Sequence, residues 1–106
     1  MSTAVQSDSS SKETNRRFFE RLPQHSVLRV LDPQDPSTDQ FAILMDISRS
    51  GVRLEVARTF ATGALVTLYL PKTQFGPPRK MNARVMWAGL STETVGWHQV
   101  GCRFAR

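Results

Sequence analysis

From Ser26 onward the chain is written in short apolar runs, alternating with polar residues and broken by turn formers about every 8–12 residues. The clearest is Val52-Arg53-Leu54-Glu55-Val56, whose period of two marks a half-buried strand with Arg53 on its polar face, either lining a site after the turn or, as the safer reading, simply solvated. Leu65 to Leu70 puts Val66, Leu68 and Leu70 on one face, and Arg79 to Ala88 puts Met81, Ala83, Val85 and Trp87 on one face. Ser26 to Leu31, Phe41 to Ile47 and Val95 to Phe104 complete the predicted strands. Asp32-Pro33-Gln34-Asp35-Pro36-Ser37, Ser48 to Gly51 and Pro71 to Pro78 supply turns and loops. Short strands at this spacing predict an all-β barrel or sandwich.

The 106 residues suffice for one domain with a modest core. The Ser-rich stretch Met1 to Thr14 has almost nothing to bury and is expected to be a disordered tail. In Asn15 to Pro23, a short helix would bring Arg17 and Arg21 to one face at i, i+4, and Pro23 would stop it. No run approaches the roughly 20 apolar residues of a membrane-spanning helix. The first residues lack the apolar centre of a secretory signal. Cys102 is the only cysteine, which excludes a disulfide framework and a thiolate metal cluster. A reducing, cytoplasmic location is the expectation.

The net charge of +5 is uneven. Residues 1–40 hold five basic and six acidic side chains, whereas residues 41–106 hold nine basic and three acidic. Eleven of the fourteen basic residues are arginine, the side chain suited to bidentate pairing with anions and to stacking on planar groups. Either an anionic partner or a solubilising surface accounts for that surplus.

Two motifs narrow the choice. Arg17-Phe18-Phe19-Glu20-Arg21 reads RxxxR, and Asp46-Ile47-Ser48-Arg49-Ser50-Gly51 reads DxSxxG at a strand–turn–strand junction. They supply two guanidinium forks, a carboxylate, a hydroxyl and a glycine. Arginine forks pair with phosphate oxygens or with the O6/N7 edge of guanine. A carboxylate accepts from the N–H groups of guanine's other edge, and glycine permits close approach of backbone. Read as an ordinary hairpin, the second motif needs Asp46 and Ser48 only as turn formers and Gly51 only for a positive φ.

In this order the motifs resemble the PilZ domain, a bacterial receptor module for the second messenger cyclic di-GMP, over Asn15 to Arg106. The resemblance implies a six-stranded antiparallel β-barrel spanning residues 26–106, preceded by a flexible arm in which residues 15–23 act as a ligand-binding switch. It implies that Arg17 and Arg21 clamp phosphates and guanine edges, that Asp46 and Ser48 pair with the base, and that Gly51 lets backbone pack close. Arg16 extends the first motif to RRxxxR, and a third guanidinium plane there is expected to admit two cyclic di-GMP molecules per chain. A tryptophan near Trp87 stacks on guanine in some members, while packing in the core competes for the same side chain. Gly101-Cys102-Arg103-Phe104 resembles the family's closing strand and is assigned to the fold. Two departures stand out. Ser50 replaces a frequent second glycine, and the chain stops where a C-terminal helix commonly covers one barrel end.

Nothing points to catalysis. His25 and His98 have no metal-ligand spacing with each other or with Cys102, and no GxxxxGK[ST] phosphate loop occurs. No cofactor is expected beyond cyclic di-GMP as ligand. The leading expectation is a cyclic di-GMP receptor that orders its arm on binding and signals to a downstream protein. A small basic barrel binding single-stranded nucleic acid is the first alternative, weakened by the lack of interleaved aromatic and basic residues. A PilZ-like barrel that docks to proteins without ligand is the second, opposed by the intact motifs.

Overall fold

The computed structural model describes residues 23–105 of the chain, so the tail, the RxxxR segment and Arg106 lie outside the described residues. Six antiparallel strands follow in sequence: β1 Pro23–Asp32, β2 Asp35–Ile47, β3 Gly51–Val56, β4 Leu65–Leu70, β5 Arg79–Leu90 and β6 His98–Phe104. They close into a barrel in the order β1-β2-β3-β6-β5-β4, with no helix among the described residues. Closure pairs every strand on both sides, which removes the exposed edges that make open sheets aggregate. The predicted strands all exist. β1, β2 and β5 run longer than expected, and β6 starts later because residues 91–97 form a loop.

Alternation places Val52, Leu54 and Val56 of β3, Val66, Leu68 and Leu70 of β4, and Ala83 and Val85 of β5 in the interior. Leu28, Val30, Leu44, Ile47, Val100 and Cys102 complete the ring of buried side chains. Each large aliphatic removed from water contributes roughly 1.5–3 kcal/mol, so this shared interior is the main driving force for closure. The barrel ends are stoppered by loop residues. Phe60, in the β3–β4 loop, is buried in the core cluster at one end. Phe75, in the β4–β5 loop, packs on it from the other, together with Met81 and Phe104. The Arg49 guanidinium lies over the Phe75 ring, 6.0 Å from its centroid.

Strict alternation fails at two places that matter. The β2–β3 register shifts between Leu44 and Asp46, and the β5–β6 register shifts between Val85 and Trp87. Each is a β-bulge in which one methionine, Met45 or Met86, is the extra residue. After the first, Asp46 faces outward opposite Arg53. After the second, Trp87 faces outward opposite Gly101 and is 45% exposed. The period-two reading that grouped Trp87 with Met81, Ala83 and Val85 is therefore wrong, because the inserted Met86 reverses the parity of everything beyond it.

Gly51 also has a different reason from the one a hairpin suggests. Positive φ falls on Gly63, Gly76 and Gly96, not on Gly51. A Cβ on Gly51 would instead lie 2.0 Å from the carbonyl oxygen of Cys102 on β6. The residue is glycine so that β3 can approach β6. Gly51→Ala should force the two backbones apart and cost about 1–3 kcal/mol. Gly89→Ala meets nothing within 4 Å and has no positive φ, so it should stay within about 0.5 kcal/mol of wild type. Chemical denaturation of both variants checks this.

Glu55 is the other exception to polar-out alternation. It lies on the outer side of β3 yet is only 1% exposed, because the β5–β6 loop covers it. The Ser91 hydroxyl donates to Glu55 Oε2 at 2.5 Å and accepts from the N–H groups of Glu93 and Thr94. Gln99 Nε2 donates to the same carboxylate oxygen at 2.8 Å. Burial pushes the carboxyl upward, but hydrogen bonds from Ser91, Gln99 and Thr94, helped by the charge of Arg53, outweigh it and hold Glu55 below its usual 4.5. A depressed carboxylate stabilises the fold above its unfolded value, and that contribution disappears as pH falls through the folded one. Glu55→Gln should thus lower the melting temperature at pH 7, and the gap to wild type should narrow below pH 4.5. Melting curves across pH 3–7, about that range, provide the check; a gap independent of pH would mean the ionised form contributes nothing.

Candidate functional site

The two bulges open an exposed groove of about 350 Å³ on the outer surface of β2, β3, β6 and β5. Its floor is the β3–β6 ladder, which runs without interruption from Gly51 opposite Arg103 to Val56 opposite His98. Asp46, Ser48, Ser50, Arg53, Met86, Trp87, Gly101 and Arg103 line it.

On one side stands the Asp46–Arg53 pair. Arg53 Nε donates to Asp46 Oδ2 at 3.0 Å, with the two side chains 29% and 15% exposed. A carboxylate can accept about four hydrogen bonds, so this pairing orients Asp46 without exhausting it. The guanidinium's terminal nitrogens remain to donate beyond the pair. Arg53, which the sequence left between a site-lining role and a solvated sheet face, is a wall of the groove.

Ser48 sits at the start of the turn. Its N–H donates to the Gly51 carbonyl at 2.9 Å, and its hydroxyl accepts from Ser50 N–H at 3.2 Å. Ser50 in turn lends its carbonyl to Phe104 N–H at 2.8 Å, tying the turn to the end of β6. The turn-forming and site-lining roles of Ser48 thus coincide: local hydrogen bonds fix the backbone that presents the hydroxyl. The Ser50 side chain, where the resemblance has a frequent second glycine, sets its hydroxyl 3.2 Å from that of Ser48.

On the other side Trp87 lies flat across Gly101. A Cβ at Gly101 would fall 2.1 Å from Trp87 Nε1, so only glycine leaves room for the indole. The result is an aromatic plane facing solvent next to a carboxylate and an arginine. Stacking a planar base on such a surface contributes roughly 1–3 kcal/mol per base.

The structure therefore brings Asp46, Ser48, Gly51 and Trp87 into one groove, Gly51 through its backbone fit to β6 rather than by facing a ligand. Arg16, Arg17 and Arg21 lie outside the described residues. Sequence reasoning missed Arg103 and Gly101, which it had assigned to the fold. The available signal was that Gly101 and Arg103 are two apart and so share a face. Cys102, between them, points inward, and burial pushes its thiol up to about 12; it is a core side chain, not a nucleophile. Among the described residues, no three His, Cys, Asp or Glu side chains are grouped to hold a metal ion.

A sequence model of the PilZ domain matches residues 15–106, nearly the whole chain. No curated protein matches it.

Gly101→Ala should displace the Trp87 ring while leaving the Asp46–Arg53 pair in place. The expected outcome is a shift in tryptophan emission, because the indole loses its seat on β6. Emission spectra of wild type, Gly101→Ala and Trp87→Ala check it.

Proposed function

We propose that this chain, which belongs to the PilZ domain family, is a cyclic di-GMP receptor that couples ligand binding to the ordering of its N-terminal arm. The family implies a ligand-binding receptor domain rather than an enzyme. The observation that carries the reading onto this chain is the register of β1: Pro23, where the arm joins the barrel, is the direct strand partner of Asp46. Arg21 is two residues upstream and Arg17 six, so an extended chain lets them reach about 7 Å and about 20 Å from Pro23. The chain length from Pro23 would thus let the RxxxR arginines reach the groove that holds the DxSxxG side chains.

The groove's size supports a role for the arm. At about 350 Å³ it lies near the lower limit for a small-molecule site. A ligand with two guanines, two riboses and two phosphates exceeds it and needs a second wall. Guanine would stack on Trp87 and donate its N–H groups to Asp46, Arg53 would meet the O6/N7 edge or a phosphate, and Arg17 and Arg21 would close over the phosphates. Charge-assisted bonds supply the energy and the entropy of ordering the arm opposes it. The ordered arm then presents a new surface to a downstream protein, in a cytoplasmic pathway. Arg16 would add a stacking plane for a second ligand molecule.

Isothermal titration of the full chain with cyclic di-GMP tests this. Wild type should bind, with GTP and cyclic GMP much weaker. Arg21→Ala and Asp46→Ala should each lose about ten- to hundredfold in affinity. The ligand-to-protein ratio should approach two, falling in Arg16→Ala. Unchanged affinity in Arg21→Ala and Asp46→Ala would overturn the site, and a wild-type ratio of one would remove Arg16 from the account.

A further inference from the structure

Arg84 on β5 and Arg103 on β6 are direct cross-strand partners, and both are exposed on the outer face of the barrel. Like charges directly opposite each other on neighbouring strands destabilise a sheet. Among the described residues no carboxylate forms an ion pair with either guanidinium. Arg84 Nη1 donates to the Gly63 carbonyl at 2.8 Å, which anchors that side chain without neutralising it. The Arg103 side chain makes no hydrogen bond or ion pair among the described residues.

The described carboxylates are engaged elsewhere. Asp46 pairs with Arg53, Asp39 pairs with Arg29, and Glu55 lies under the β5–β6 loop. Asp32 and Asp35 accept from backbone N–H groups in their own hairpin. Glu93 sits in the loop before β6, at the opposite end of that strand from Arg103.

Arg103 also lines the groove. It is two residues beyond Gly101 on the same face of β6, so it stands about 7 Å along the strand from the glycine that carries the Trp87 ring. A nucleotide whose base stacks on Trp87 has its sugar–phosphate running off the edge of the ring, and on this side it meets the Arg103 guanidinium, with which no described carboxylate pairs.

We propose that Arg103, with Arg84 beside it, forms a phosphate subsite of the groove that takes one phosphoryl group of a cyclic dinucleotide stacked on Trp87. This rests on the reading of the groove as a cyclic di-GMP site. It adds a cationic contact from the rigid barrel to those of the arm, so part of the phosphate recognition precedes arm ordering. Arg103 is placed for bidentate donation, and Arg84, held by Gly63, supplies charge from the neighbouring strand.

The test uses the full chain in two arms. In the first, cyclic di-GMP is titrated into wild type, Arg103→Ala, Arg103→Lys and Arg84→Ala at low and high salt. Arg103→Ala should bind about ten- to hundredfold more weakly, Arg84→Ala several-fold more weakly, and both with a shallower salt dependence. Lysine at position 103 should recover part of the loss, since it restores charge without the fork. In the second arm, inorganic pyrophosphate is added during thermal melting. It should raise the melting temperature of wild type but not of Arg103→Ala, and Arg103→Ala should itself melt higher than wild type without any anion. Wild-type affinity retained by both alanine variants would overturn the subsite while leaving the groove reading intact. Failure of wild type to bind cyclic di-GMP would overturn the groove reading instead. In that event the melting arm decides, and no pyrophosphate shift in wild type would overturn the subsite as well.

Discussion

The close approach of β3 to β6 at Gly51 is the constraint on which the rest of the molecule turns. With no Cβ between it and the Cys102 carbonyl, the β3–β6 ladder runs unbroken along the barrel wall. The neighbours β2 and β5 must curl around that ladder to close the barrel, and each does so by inserting one residue, Met45 and Met86. A bulge both bends a strand and reverses which face its next side chain takes. Barrel closure and site construction are therefore one event: the bends that let the sheet close also turn Asp46 and Trp87 outward onto the two sides of a common floor.

That floor is unusually bare for a sheet surface. Gly51 and Gly101 occupy two of its outward positions, and Trp87 uses the second to lie flat. A flat aromatic beside a paired carboxylate suits a planar ligand with hydrogen-bond donors on one edge. The surrounding charge favours an anion, because Arg53 and Arg103 line the groove and Asp46 is its only carboxylate among the lining residues. The aromatic plane, the paired carboxylate and the arginines are thus supplied by different strands, each held by its own local packing.

The far end of the barrel shows the same economy in a structural role. Glu55 accepts from Ser91 and Gln99 and so ties the β5–β6 loop down onto β3. A buried carboxylate is costly unless hydrogen-bonded, and here both bonds go to Oε2 while Oε1 is buried without a partner among the described residues. The end nearer the DxSxxG turn carries the Arg49–Phe75 contact and the junction with the arm at Pro23. Rigid connections thus gather at one end and the attachment of the arginine segment at the other.

The strand count, the core faces of β3 and β4 and the strand–turn–strand setting of DxSxxG were legible in the chain itself, because each follows from periodicity or from spacing within a few residues. Local chemistry settles such features, since alternation fixes a face and a turn fixes its own hydrogen bonds. What the tertiary structure decided lies where distant segments meet. The side of Trp87 depended on a bulge in the pairing of β5 with β6. The burial of Glu55 depended on a loop more than thirty positions away folding over it, as Ser91 shows at a separation of 36. The partnership of Arg53 with Asp46 and the exposure of Arg103 in the groove arise from register between strands, and register is set by closure of the whole barrel rather than by the residues that it juxtaposes.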